Sequence, residues 1–140
     1  MPTLEDALAL ALEAHRGQRD KAGQVYLLHP LRVMLRLESE TERMVALLHD
    51  VVEDSAFTLE DLRARGYPEP VLEALALLTR REGESYEAFI QRLRPHPLAR
   101  RVKLADLEDN MDVRRLPAVT DTDAARLARY RAAWQSLRDA

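Results

Sequence analysis

The chain has 140 residues, a formal charge of -3, a sequence pI near 5.8 and no cysteine. That length suits one domain with a full hydrophobic core, and the missing cysteine excludes a disulfide framework, a thiolate nucleophile and any zinc site built on sulfur. The acidic balance gives no overall basic footprint for nucleic acid, no stretch approaches the ~20 apolar residues of a membrane span, and the start Met1-Pro2-Thr3-Leu4-Glu5-Asp6 lacks the regions of a secretion signal, so a soluble, cytoplasmic protein is expected.

Apolar residues recur at helical spacing almost throughout, with no sustained period-two alternation, so the expected class is all-α, a single domain over 1-140. Thr3 caps a first helix running to about Arg16, with Glu5 and Asp6 in its first turn. Gly17 to Leu28 holds two of the four glycines and reads as a loop. Pro30 suits the first turn of a second helix through about Leu37, which puts His29 at a loop-to-helix junction. Glu40 to about Val52 makes a third helix. Thr58-Leu59-Glu60-Asp61 resembles a capping box and opens a short fourth helix that Gly66 stops. Pro68 and Pro70 introduce a helix from Val71 to about Leu78. Ser85 caps Tyr86 to Arg94, Pro97 begins a helix through about Met111, and Asp121 to Ala140 gives a closing amphipathic helix.

Chemistry concentrates in the third helix. The run Val45-Ala46-Leu47-Leu48-His49-Asp50-Val51-Val52-Glu53-Asp54 sets an imidazole and three acids at the end of an apolar segment. His49 and Glu53 are four apart, as are Asp50 and Asp54, and Asp50 and Glu53 are three apart, so all four project toward a common edge. Burying such groups is costly unless something compensates them, and a divalent cation is the usual compensator. Taken by itself the run also reads as a solvated helix end with its acids in salt bridges. Two further segments favour the metal: His29 in Tyr26-Leu27-Leu28-His29-Pro30, where the proline fixes the chain leaving the histidine, and Asp106 in Val102-Lys103-Leu104-Ala105-Asp106. His29, His49, Asp50 and Asp106 would make a shell of two nitrogens and two oxygens.

These blocks, with His15-Arg16-Gly17-Gln18, Lys21-Ala22-Gly23 and Asn110-Met111, closely resemble the HD-domain metal-dependent phosphohydrolases, and more narrowly the hydrolase domain of the RelA/SpoT alarmone enzymes and their stand-alone relatives, across roughly residues 4 to 112. The resemblance implies a compact helical bundle, His29, His49, Asp50 and Asp106 as metal ligands, and Mn²⁺ as the ion, which mixed imidazole and carboxylate ligands accept. It implies that Glu53 and Asp54 orient or deprotonate the attacking water, Glu53 being the first choice, and that Arg19, Lys21, Tyr26 and Asn110 contact a nucleotide substrate such as (p)ppGpp. A homodimer rests on the resemblance alone; neither nucleic acid nor membrane is an expected partner. A nucleotidase of different base specificity, or a non-catalytic nucleotide-binding sensor, are the rival readings.

The chain departs from the family pattern in two places. The loop reads Asp20-Lys21-Ala22-Gly23 where the family usually has Arg-Lys-x-Gly, and a carboxylate there offers no planar cation for a base and would repel phosphate. In Asp106-Leu107-Glu108-Asp109-Asn110 the family's Arg after the ligand Asp and the His or Tyr before the Asn are both replaced. Among the remaining candidates, His15 reads as structural, His96 as an exposed loop residue, and Tyr130 and Trp134 as core or dimer-contact residues.

Overall fold

The computed structural model describes residues 1–140 and contains eight α-helices and no strand. They are α1 (Leu4–His15), α2 (Leu28–Leu35), α3 (Glu40–Asp54), α4 (Leu59–Ala64), α5 (Glu69–Leu77), α6 (Tyr86–Leu93), α7 (Pro97–Asn110) and α8 (Asp121–Arg138), with a 3₁₀ turn at Val113–Arg115 between the last two. The all-α expectation is met.

Local chemistry explains the helix starts. The Thr3, Ser39, Thr58 and Thr120 side chains each accept a bond from the backbone N–H three residues on, while the acid at that position reaches back to the cap. Each box satisfies two of the amides a helix start otherwise leaves unpaired. Some boundaries differ from the sequence reading: α3 runs two residues further, to Asp54, and α5 begins at Glu69, two residues before Val71. Helix α2 begins at Leu28, two residues before Pro30, so His29 is inside the first turn rather than ahead of it. There Pro30 lacks only an N–H that has no intrahelical partner. His96 is a half-buried cap of α7, its Nδ1 accepting from the Ala99 N–H at 3.2 Å, and not a free loop residue.

Helix α3 is the axis of the bundle, packed against α1, α2, α5 and α7. Its middle, Met44 through Leu48, is buried on every side, which is why that stretch carries no polar residue. A single cluster of 27 buried apolar residues joins it to Leu10, Val33, Leu62, Leu75, Leu93 and Leu107. At about 25 cal/mol per Å² this burial is the dominant stabilising term. The polar end of α3, from His49 onward, emerges where α2 and α7 close on it.

Helix α8 buries only Ala133 and Leu137 fully and packs mainly on α7. Its face Asp123, Arg126, Leu127 and Tyr130, at spacings of three and four, forms a wall of the principal cavity. Tyr130 is therefore both packed against the core and open to that cavity, rather than purely a core or contact residue. No helix is long and apolar enough to cross a membrane.

Candidate metal centre

Three carboxylates, Asp50, Glu53 and Asp54, crowd the last turns of α3, and no basic residue accompanies them in the final turn. A helix C-terminus carries partial negative charge, so acids there are unfavourable unless a cation offsets them. The structure brings the expected four-donor set to this point. Ligating atoms of His29, His49, Asp50 and Asp106 all lie within 4.8 Å of one another. His29 Nε2 is 2.8 Å from Asp106 Oδ1 and 3.7 Å from Asp50 Oδ2, and His49 Nε2 is 3.2 Å from Asp50 Oδ1 and 3.4 Å from Asp106 Oδ1. Oxygen or nitrogen ligands ~2.1 Å from one ion stand about 3 Å apart when adjacent and about 4.2 Å when opposite, and the four pairs from 2.8 to 3.7 Å fall close to that range.

His49 gives the sharpest test of fit. Its Nδ1–H donates to the Ala46 carbonyl at 2.7 Å, which leaves Nε2 as the lone-pair nitrogen. That Nε2 is buried and has no hydrogen-bond partner. Buried polar atoms are rarely left so, and a divalent ion between it and the two carboxylates would satisfy it. The donor set fits the metal.

The same charges set the protonation of the ring nitrogens. Burial disfavours the imidazolium of His29, but hydrogen bonds to Asp106 and Asp109 and the fields of Asp106 and Asp50 outweigh it and push its pKa up to about 10. Burial likewise opposes a charged His49, and Asp50 and Asp106 raise its pKa to about 9. Each ring thus holds either a proton or a cation facing the carboxylates. Burial would raise the pKa of Asp106, yet Lys103, His29 and His49 hold it well below the usual carboxylate range.

Around these four, a cavity of about 500 Å³ is lined by seven carboxylates, from Asp20, Asp50, Glu53, Asp54, Asp106, Asp112 and Asp123, and by five permanent cations, Arg19, Lys21, Lys103, Arg115 and Arg126. Every expected site residue reaches this cavity except His49, which sits behind its wall. Glu53 and Asp54 are exposed at its mouth and make no hydrogen bond through their side chains. Burial against the wall, then Asp50 and each other's charge, raises both their pKa values. Tyr26 donates its hydroxyl to Asp50 Oδ2 at 2.6 Å, so its polar end is committed to the carboxylate. His15 packs behind it, ring to ring at 4.9 Å, and bonds Gln18 Oε1 through Nδ1 at 2.9 Å. Asn110 Nδ2 is 3.4 Å from Asp106 Oδ1.

Asp20 requires a correction. Its carboxylate is not a bare negative charge in the substrate path: Oδ1 accepts from the Ala22 and Gln24 amides, both at 2.9 Å, and Oδ2 from Arg115 Nη1 at 3.2 Å. It builds the turn of its loop and is paired with a guanidinium from a segment 95 residues later in the chain. Arg19 and Lys21, its neighbours, form no ion pair and face the cavity free.

Sequence reasoning missed Arg32, Lys103, Asp109, Arg115 and Arg126. Asp109 is three residues from Asp106 on α7, a spacing that alone places both on one face. It is fully buried, lies 2.7 Å from His29 Nδ1, and takes two bonds from Arg32 at 2.7 and 3.1 Å. Lys103, three residues before Asp106, donates to its Oδ2 at 2.8 Å. Arg115 and Arg126 carry no comparable signal, since their partners are distant in the chain or lie on a late helix.

Comparison with known proteins follows the same lines. The chain matches no protein-family model. It is 31% identical over 120 residues, 77% of its length, to a guanosine-3′,5′-bis(diphosphate) 3′-pyrophosphohydrolase of Aquifex aeolicus, and 41% identical over 64 residues, 42% of its length, to the bifunctional (p)ppGpp synthase/hydrolase SpoT of Escherichia coli. The matched regions make up only 17% and 9% of those proteins, so the chain spans a small fraction of each relative. Its fold superposes on the solved structure of a metazoan SpoT ortholog that hydrolyses ppGpp, with a TM-score of 0.77 at 24% identity, covering 99% of this chain and 88% of the other.

Proposed function

We propose that this chain, a relative of the pyrophosphohydrolase segment of SpoT-type proteins, is a divalent-metal-dependent nucleotide phosphohydrolase that removes the 3′-pyrophosphate from guanosine 3′,5′-bis(diphosphate) or a close analogue. The observation that carries this reading is the convergence of four metal-grade donors with a free acidic pair on one cavity. His29, His49, Asp50 and Asp106 are the residues that would hold the ion; the donor set accepts Mn, Fe or Zn, and the resemblance to the HD phosphohydrolases favours Mn²⁺ among them. A bound divalent cation supplies Lewis acidity, acidifying water and screening phosphate charge.

The side chains divide the remaining tasks. Acids outnumber permanent cations around the cavity seven to five, so an anionic substrate enters favourably only when added positive charge is present. Glu53, unpaired and raised in pKa, accepts a proton from the attacking water, and Asp54 beside it assists the transfer. Tyr26 fixes the orientation of Asp50 through its hydroxyl. Lys103 occupies Asp106 Oδ2 and so leaves Oδ1 for the ion. Arg19 and Lys21, both without partners, meet phosphate oxygens, and Asn110, also on the cavity wall, meets the sugar. Attack of the water oxygen on the phosphorus bonded to the ribose 3′-oxygen forms one P–O bond and breaks the bond from that phosphorus to the 3′-oxygen; pyrophosphate departs carrying the water oxygen, and the nucleotide 3′-oxygen takes up a proton.

A different base specificity is the second reading, because Asp20 is consumed in holding its own turn and Arg115 and presents nothing to a base. Purified chain with Mn²⁺ should release pyrophosphate from ppGpp faster than phosphate from nucleoside 5′-monophosphates. Faster turnover of monophosphates would select the second reading, and no release from any nucleotide in the panel would overturn the enzyme assignment.

A further inference from the structure

We propose that Asp109, clamped by Arg32, is a positioning residue that fixes the tautomer and the ring direction of the metal ligand His29; this rests on the metal reading of the four-donor cluster. His29 meets Asp106 and Asp50 through Nε2, so its other nitrogen must carry a proton for Nε2 to offer a lone pair to an ion. Nδ1 is satisfied by Asp109 Oδ2 at 2.7 Å, in a place where neither side chain reaches water: the carboxylate is 0% exposed and the imidazole 7%. At that burial Asp109 is the acceptor Nδ1–H has, and a ring flip would set Cδ2–H against Asp109 and Cε1–H against Asp106, losing both contacts.

Asp109 is itself held. Arg32 grips it with two bonds, at 2.7 Å to Oδ1 and 3.1 Å to Oδ2, a paired geometry that fixes the carboxylate plane as well as its charge. Arg115 Nη2 stands 3.8 Å from Oδ2 and bonds the Asp109 carbonyl at 3.2 Å. Two guanidinium groups flank the buried carboxylate, and a carboxylate accepting from Nδ1–H makes the imidazole a stronger electron donor to an ion. The other ligand histidine uses a backbone carbonyl, from Ala46, for the same purpose. The two imidazoles therefore differ: one is backed by a charge, the other by a dipole. This assigns a task to a position where the sequence departs from the pattern it resembles.

The test is a Mn²⁺ titration of the full chain by calorimetry, joined to two-bond ¹H–¹⁵N correlations of the histidine rings in the Zn²⁺-loaded protein. Asp109→Ala should weaken Mn²⁺ binding roughly 10–100-fold, the range seen for loss of such supporting carboxylates, and His29 should change from a single Nδ1–H tautomer to a mixture. Asp109→Asn, which keeps an acceptor without its charge, should recover part of the affinity. Arg32 is 29% exposed and outside the core, so Arg32→Met keeps the test alive if Asp109→Ala fails to fold, and should weaken binding severalfold in the same direction. Glu108→Gln, an exposed neighbour on α7, serves as the control and should bind as wild type. Wild-type affinity and an unchanged tautomer in folded Asp109→Ala or Arg32→Met would overturn the assignment while leaving the metal site standing. A wild-type chain that binds no divalent cation would remove the metal reading and this inference together.

Discussion

Replacing Lys103 by methionine isolates one charge at the centre of the site. The lysine side chain is 12% exposed, its ammonium bonds Asp106 Oδ2 at 2.8 Å, and it lies 5.3 Å from the Phe89 ring. Burial opposes its charge, but the adjacent Asp106 carboxylate more than offsets this and holds its pKa above the ordinary lysine value. Methionine keeps nearly the same length and fits the apolar part of that environment. Removing one partner of a buried ion pair costs about 3–5 kcal/mol. His29 and His49 still face Asp106, so the lower end, about 3 kcal/mol, is expected for the metal-free protein. At about 3 °C per kcal/mol for a chain of this size, Tm falls by about 9 °C. An added divalent cation restores positive charge to the same carboxylate, and the variant cavity faces its seven acids with four permanent cations instead of five. Mn²⁺ should therefore stabilise Lys103→Met more than wild type; saturation at 100 times Kd is worth about 2.7 kcal/mol. Thermal unfolding with chelator and with excess Mn²⁺ measures both gaps. An equal Tm difference under the two conditions would refute the reasoning, because it would mean that Lys103 and the ion do not share Asp106.

Three further outcomes are expected. Glu53→Gln should lower kcat by about 10²–10⁴-fold with Mn²⁺ affinity nearly unchanged, and should abolish the acid limb of the pH profile; in wild type that limb lies above the ordinary glutamate range, because a base raised in pKa loses its function as pH falls through that value. Burial opposes ionisation of Asp109, but His29 and Arg32 pull its pKa from 3.8 to about 2. Its contribution to stability is present above about pH 4 and is lost as pH falls toward 2, which acid unfolding of wild type beside Asp109→Asn will register as a loss of that transition in the variant. Asp20→Ala removes the acceptor for two loop amides and for Arg115, so KM should rise about tenfold with a smaller change in kcat, loosened loop hydrogen bonds being worth about 1 kcal/mol each; steady-state kinetics with an unchanged KM would show that the turn does not position Arg19 and Lys21.

The helices were legible in the chain because capping and apolar periodicity are local. Thr3, Thr58 and Ser85 start helices where the sequence places them, and Gly66 ends one with a positive φ of 92°. The candidate metal donors were legible for a related reason: His49-Asp50 on one helix, the proline after His29 and the block Val102-Lys103-Leu104-Ala105-Asp106 are short-range patterns. The role of Asp20 was not. Its charge suggests repulsion of phosphate, and only the return of the chain to Arg115, 95 residues later, turns it into a loop anchor.

Sequence by itself determined the class of the fold and singled out the four candidate donors and the acidic pair, since residue type and helical spacing decide what a helix end can offer to an ion. Tertiary packing decided which charges compensate which. Asp109 and Arg32 meet across 77 positions, and His29 and Asp109 across 80. Electrostatic energy depends on distance through space and on burial, neither of which is written along a chain, so the groups that hold the donors in place could be found only after the helices had closed on one another.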